Sequence, residues 1–158
     1  MSDERRDVEQ DSIWRQRPPV ELLNQMSEGC AVSHLGIQLV ELGEDFIRAT
    51  MPVDERTRQP FGLLHGGASV LLAESLGSVA AQLVAPPGAR CVGLAINANH
   101  LAGVREGLVE AIARPVHLGR STQVWEIKIS DEAGRLACVS RLTMSVLPPP
   151  PRQEGARS

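Results

Sequence analysis

QPFGLLHGGASVLLAESLGSVAAQ, Gln59 to Gln82, is the stretch on which the fold turns. From Ala68 to Val84 it is apolar and long enough for one substantial helix. Five of its residues, Ala68, Ala73, Gly77, Ala80 and Ala81, are small. A glycine inside a helix costs roughly 1 kcal/mol against alanine, so Gly77 needs a packing reason. A curved sheet pressed close to the helix backbone supplies one. The segments on either side are strand-like, so this helix is expected to be the only long one.

Before it, Val20 to Ser27 fits a short helix with Leu22, Leu23 and Met26 on one side. Gly36 to Leu42 and Asp45 to Met51 fit two strands joined by a tight turn at Leu42-Gly43-Glu44. After it, Cys91 to His100 alternates loosely and Leu108 to Val116 is rich in β-formers. Thr122 to Ser130 alternates well, with Trp125, Ile127 and Ile129 on one face and Glu126 and Lys128 on the other. Asp131 to Gly134 is a turn, and Arg135 to Val146 alternates again, which makes the last two strands an antiparallel hairpin. The expected fold is α+β: one long helix against an antiparallel sheet of about six strands.

The bulk numbers agree with a single domain. The chain has 158 residues, of which 42% are hydrophobic and 22% charged, so a core is possible. Aromatics make up only 3%, which requires an aliphatic core. A net charge of −3 argues against a nucleic-acid binder, which needs a basic footprint. The charged N-terminus has no apolar segment of a secretory signal, and no apolar run reads as a membrane span. Cys30, Cys91 and Cys138 are far apart and without a CxxC, which suits a reducing cytoplasm and three buried, inert thiols. Residues 1–18 are expected to form a disordered arm, 19–147 the domain, and 148–158 a flexible proline-rich tail.

Two oddities in the opening stretch point to a site. His65-Gly66-Gly67 begins the helix, where backbone N–H groups lack helical acceptors and face outward at the positive end of the dipole. Glycine there admits a substrate atom, as an oxyanion pocket requires; a plain glycine turn is the alternative. Glu74 stands two turns later, with Val70 and Ser78 on its face. It is either a solvated helix-edge residue or a carboxylate in an apolar pocket. Gln59, in the preceding loop, has an amide that can orient a carbonyl. No nucleophile elbow, HExxH, Walker loop or GxGxxG is present, and the four histidines are not at metal-ligand spacing.

Gln59, His65-Gly66-Gly67, Glu74 and Ser78 resemble the active-site signature of hotdog-fold acyl-CoA thioesterases of the 4-hydroxybenzoyl-CoA type. The segments TMPVDERTRQPFGLLHGGASVLLAESLGSVA, GLAINANH, PVHLGR and QVWEIKISDEAGRLACVSRLT are similar to the branch holding 1,4-dihydroxy-2-naphthoyl-CoA thioesterase and the enterobactin-pathway proofreading thioesterase. The likeness runs from about Gly36 to Val146. It implies a hotdog fold and hydrolysis of acyl-CoA thioesters with aromatic or hydroxyaryl acyl groups. Glu74 would be the nucleophile or general base, the Gly66 N–H would polarise the thioester oxygen, Gln59 and His65 would position the acyl group and loop, and Ser78 would assist the water. Coenzyme A would be held by Gly93, by His100, Leu101, Ala102 and Gly103, by His117, Leu118, Gly119, Arg120, Ser121 and Thr122, and by Arg141. Arg120 has the planar fork that suits phosphate oxygens. The resemblance further implies sites at a dimer interface, a homodimer or homotetramer in the cytoplasm, and no metal or separate cofactor, since coenzyme A is part of the substrate.

The chain departs from that branch at Ala95, in the LAGVREG stretch and at Arg120-Ser121-Thr122, which touches coenzyme A contacts and acyl preference and leaves the chemistry alone. Three other activities compete: hydrolysis of thioesters on an acyl-carrier protein, a hotdog hydratase or dehydratase, and non-catalytic acyl-CoA binding. A hydratase needs a different catalytic pair, and a mere binder has no need of Glu74.

Overall fold

A computed structural model describes residues 12–150. In chain order the elements are α1 (Val20–Met26), α2 (Ala31–His34), β1 (Gln38–Leu42), β2 (Ile47–Pro52), α3 (Gly66–Val84), β3 (Arg90–His100), β4 (Leu108–Leu118), β5 (Thr122–Asp131) and β6 (Leu136–Leu147). The six strands form one antiparallel sheet in the order β1-β2-β4-β5-β6-β3, and α3 packs across it. This is the hotdog arrangement expected. α2 is a short turn of helix that the sequence reading does not anticipate.

The alternation in the strands becomes the core. Ile47, Ala49 and Met51 of β2, Val109, Ala111 and Ala113 of β4, Trp125, Ile127 and Ile129 of β5, and Leu142 and Met144 of β6 are fully buried beneath α3. The helix answers with Leu72, Ala73, Leu76, Gly77, Ala80 and Ala81. By length and composition α3 would also qualify as a membrane span, against the sequence expectation. Here its apolar face is spent on the sheet.

Gly77 has the packing reason it needed. A Cβ placed on it would lie 2.6 Å from Cδ2 of Leu142 and 3.5 Å from Cδ1 of Ile127, both fully buried. Both side chains belong to the packed core, so moving either disturbs its neighbours. Gly77→Val is therefore expected to lower stability by about 1–3 kcal/mol, the usual cost of overpacking, despite the better helix propensity. A urea titration checks this, and an unchanged midpoint would contradict it.

The N-terminal arm expected to be disordered through residue 18 is instead packed from residue 12. Trp14 is buried and stacks on Trp125, with centroids 6.0 Å apart and planes 9° from parallel. Its indole N–H donates to the Gly43 carbonyl at 2.6 Å, and the N–H groups of Arg15 and Gln16 donate to the Leu83 carbonyl. One tryptophan anchors a segment whose average composition is polar. Residues 1–11 and 151–158 lie outside the described residues. At the other end Pro148 to Pro150 are exposed and belong to no element.

The two sheet edges differ. At β1 the Asn24 side chain donates to the Leu39 carbonyl and accepts from the Leu39 N–H, both at 2.9 Å, so α1 covers that edge. At β3 the Gln82 side chain covers only the start, bonding the Ala89 carbonyl and the Cys91 N–H. The rest of this strand has no neighbour beyond β6 among the described residues. It carries exposed Val92 and Leu94, the latter in a bulge between Gly93 and Ala95.

Candidate functional site

The start of α3 is built by the loop before it. The Thr57 hydroxyl is buried and donates to the Pro52 carbonyl at 2.7 Å. The His65 N–H donates to the Thr57 carbonyl at 2.7 Å, and the Leu64 N–H to the Val104 carbonyl at 2.7 Å. Asp54 tightens the same loop. Its carboxyl is held below the usual range by side-chain and then backbone hydrogen bonds from Arg56. The Gln59 side-chain oxygen accepts from the Phe61 N–H, which leaves its amide NH₂ as the outward donor.

His65 is the N-cap of α3. Its Nδ1 accepts from the Gly67 N–H at 2.8 Å. An accepting Nδ1 carries no proton, so the neutral ring has its proton on Nε2. Position 65 thus has a structural job and a free donor, and two variants separate them. His65→Asn keeps a good cap and loses the Nε2 donor, so stability should hold while kcat falls. His65→Ala should lose about 0.5–2 kcal/mol of stability as well. Thermal melts alongside kinetics read both, and equal stability loss in both variants would refute the assignment.

The Gly66 N–H has no acceptor among the described residues. It opens on a cavity of about 370 Å³ shared with Gln59, Leu63, Ser69, His100, Leu101, Ala102 and Gly103. Glu74 is elsewhere. It is half-buried at the wall of a mainly apolar cavity of about 330 Å³, with Ser78 and Val79 beside it and Val32, Ile37, Leu39 and Ala49 opposite. Its carboxylate lies over Gly93, where an added Cβ would come within 2.6 Å of Oε1. The Ser78 hydroxyl has only the Met144 sulfur at 3.9 Å as a partner, so it remains able to bond a water. Gly66 and Glu74 are eight residues apart on one helix, about 12 Å at 1.5 Å per residue. One carbonyl carbon cannot meet both in a single chain.

The coenzyme A set is divided in the same way. His100 to Gly103 line the Gly66 cavity. His117 to Thr122 form the tip of the β4–β5 hairpin at the other end of the sheet. The pairings Thr122 with Ser145 and His100 with Cys138 put these groups seven residues apart along β6, roughly 23 Å. Arg141 neighbours inward-facing Leu142, so it projects from the outer face of the sheet, level with Asn97 and Glu126. Gly93 makes room for Glu74.

The cavity wall at Ser27 after α1, Val32 of α2, Ile37 before β1 and Leu39 of β1 is absent from the sequence reading. A strand reading over Gly36 to Leu42 says nothing of a void beside it. Among the described residues no group of three or more His, Cys, Asp or Glu is placed to hold a metal. Of the thiols expected to be buried, Cys138 is, Cys91 is half-buried and Cys30 is exposed at the start of α2. Burial pushes the Cys91 and Cys138 thiols above their usual range, so both stay protonated at neutral pH.

Comparison with known proteins was decisive for the family. Residues 61–138 match the thioesterase superfamily. The chain is 55% identical over 135 residues to a 1,4-dihydroxy-2-naphthoyl-CoA hydrolase of Escherichia coli, covering 85% of this chain and 99% of that one. It is 52% identical over 135 residues to the proofreading thioesterase EntH of Cronobacter turicensis, covering 85% and 98%. A crystal structure of a thioesterase from Haemophilus influenzae superposes with a TM-score of 0.85 at 56% identity, over 86% of this chain and 95% of the other.

Proposed function

This chain belongs to the thioesterase superfamily and is a hydrolase of thioesters, and we propose that it acts on acyl-CoA thioesters with aromatic or hydroxyaryl acyl groups, such as 1,4-dihydroxy-2-naphthoyl-CoA. The observation that carries this reading is the Glu74 carboxylate at the wall of an apolar cavity large enough for a bicyclic aryl group. An apolar wall favours a flat ring, and the carboxylate stands where the ring's carbonyl would emerge. The Escherichia coli relative bears the name of that substrate.

In the proposed reaction Glu74 either attacks the thioester carbon or deprotonates the water that does. The Gly66 N–H takes the oxygen that becomes negative, at the positive end of α3. Collapse of the intermediate breaks the carbon–sulfur bond, and the products are the free acid and coenzyme A. Ser78 holds the water, while Gln59 and the Nε2 proton of His65 steer the acyl group. No metal or separate cofactor takes part.

The separation of Gly66 from Glu74 is resolved by a dimer. Gly93, beneath Glu74, and His100, against Gly66, are seven residues apart on the uncovered edge strand β3. A two-fold axis midway between them, with the two copies of β3 paired antiparallel, interchanges these positions. It sets Glu74 of one protomer opposite Gly66 of the other and satisfies the open edge. The same axis brings the hairpin tip of one protomer, with Arg120, toward the His100 loop of the other, where the coenzyme A phosphates would run. Two such dimers associate as a tetramer, and the three free thiols suit the cytoplasm.

Hydrolysis of a thioester panel tests the substrate. 1,4-Dihydroxy-2-naphthoyl- and benzoyl-CoA should exceed straight-chain acyl-CoA in kcat/KM by at least about tenfold, within the discrimination a hydrophobic pocket achieves. Equal rates across the panel would end the aryl assignment. Faster turnover of the same aryl groups on an acyl-carrier protein than on coenzyme A would move the assignment to that carrier.

A further inference from the structure

We infer that the His100 imidazole is a second donor to the thioester oxygen, beside the Gly66 N–H, rather than a coenzyme A contact. The inference rests on the role proposed above for Gly66. His100 is the last residue of β3, on the side of the sheet that faces α3. A Cβ placed on Gly66 would lie 2.8 Å from its Nε2, 3.1 Å from Cε1 and 3.3 Å from Cδ2. The ring therefore presents its Nε2 edge to Gly66. Neither Nε2 nor the Gly66 N–H has a hydrogen-bond partner among the described residues, and both open on the same cavity, with Gln59.

The arrangement explains the glycine at position 66. Any side chain there would push the ring aside, so glycine is what lets the ring stay beside the Gly66 N–H. Chemically, one amide N–H is a thin provision for a full negative charge. Two donors converging on one oxygen form the usual pocket for a tetrahedral intermediate. His100 transfers no proton in this role. It donates through Nε2–H as charge develops and is unchanged when the carbon–sulfur bond breaks.

Kinetics and carbonyl spectroscopy together test this. His100→Ala should lower kcat by about 10²-fold, the scale for losing one such donor, with KM changed by less than about threefold. His100→Gln, which keeps an N–H donor, should recover part of the loss. In a Glu74→Gln background, benzoyl-CoA labelled with ¹³C at the carbonyl should show its stretch lowered on binding, and less so once His100 is alanine. A rise in KM with kcat intact would overturn the inference, as would a stretch that ignores His100. A Glu74→Gln enzyme that still turns over at the wild-type rate would instead refute the proposed catalytic residue.

Discussion

Glu74→Gln is expected to lower kcat by about 10²–10⁴-fold, the range for losing a general base, with KM for acyl-CoA close to the wild-type value. The substitution is nearly isosteric. Glutamate and glutamine have similar helix propensities, so α3 should be intact, and the amide fits over Gly93 where the carboxylate sits. What disappears is the basic oxygen that either attacks carbon or takes a proton from water. Glu74→Asp keeps that oxygen but withdraws it by one methylene from the edge of β3, so it should lose less. A continuous thiol-release assay on benzoyl-CoA measures both variants. If the glutamine enzyme matches wild type, Glu74 is a half-buried helix residue with no chemical duty.

Most of the fold could be read from short-range pattern because the core obeys it. The period-2 face of Trp125, Ile127 and Ile129 is fully buried, and the helix expected from Ala68 begins at Gly66 and ends at Val84 as expected. Gly77 announced a close contact by its cost alone. β3 alternated only loosely for two physical reasons: it is an edge strand, and a bulge at Leu94 shifts its register. Trp14 was hidden because a single long-range stacking partner, Trp125, outweighs the polar average of its neighbours. The site residues were visible as types, but a division between two chains was implied only by the family resemblance and not by the residue pattern. Sequence spacing on one helix suggests that Gly66 and Glu74 cooperate, whereas 1.5 Å per residue keeps them apart within a chain. Pairing across an uncovered edge leaves no mark in local periodicity.

That division makes the second large effect a property of the pair of chains. Gly66 is the first residue of α3, following a cap whose backbone is extended, φ −68° and ψ 130°. Proline is at home in that position, since the N–H it lacks has no helical acceptor and the preceding residue already has the extended conformation proline favours. Gly66→Pro should therefore keep the helix and delete the oxyanion donor, at a cost of about 10²–10³-fold in kcat. Its ring also turns the exposed His100 side chain aside, so the second donor inferred above is lost with the first and the figure is a lower bound. Now let Gly66→Pro and Glu74→Gln chains be co-expressed with different tags and the mixed dimers allowed to form. If each site takes Gly66 from one protomer and Glu74 from the other, a mixed dimer has one site with both defects and one with neither. Random mixing should then restore roughly a quarter of wild-type activity, because half the dimers are mixed and each has one intact site of two. If both residues served the same chain's site, every site in the mixture would carry one defect, and activity would stay at the level of the separate variants.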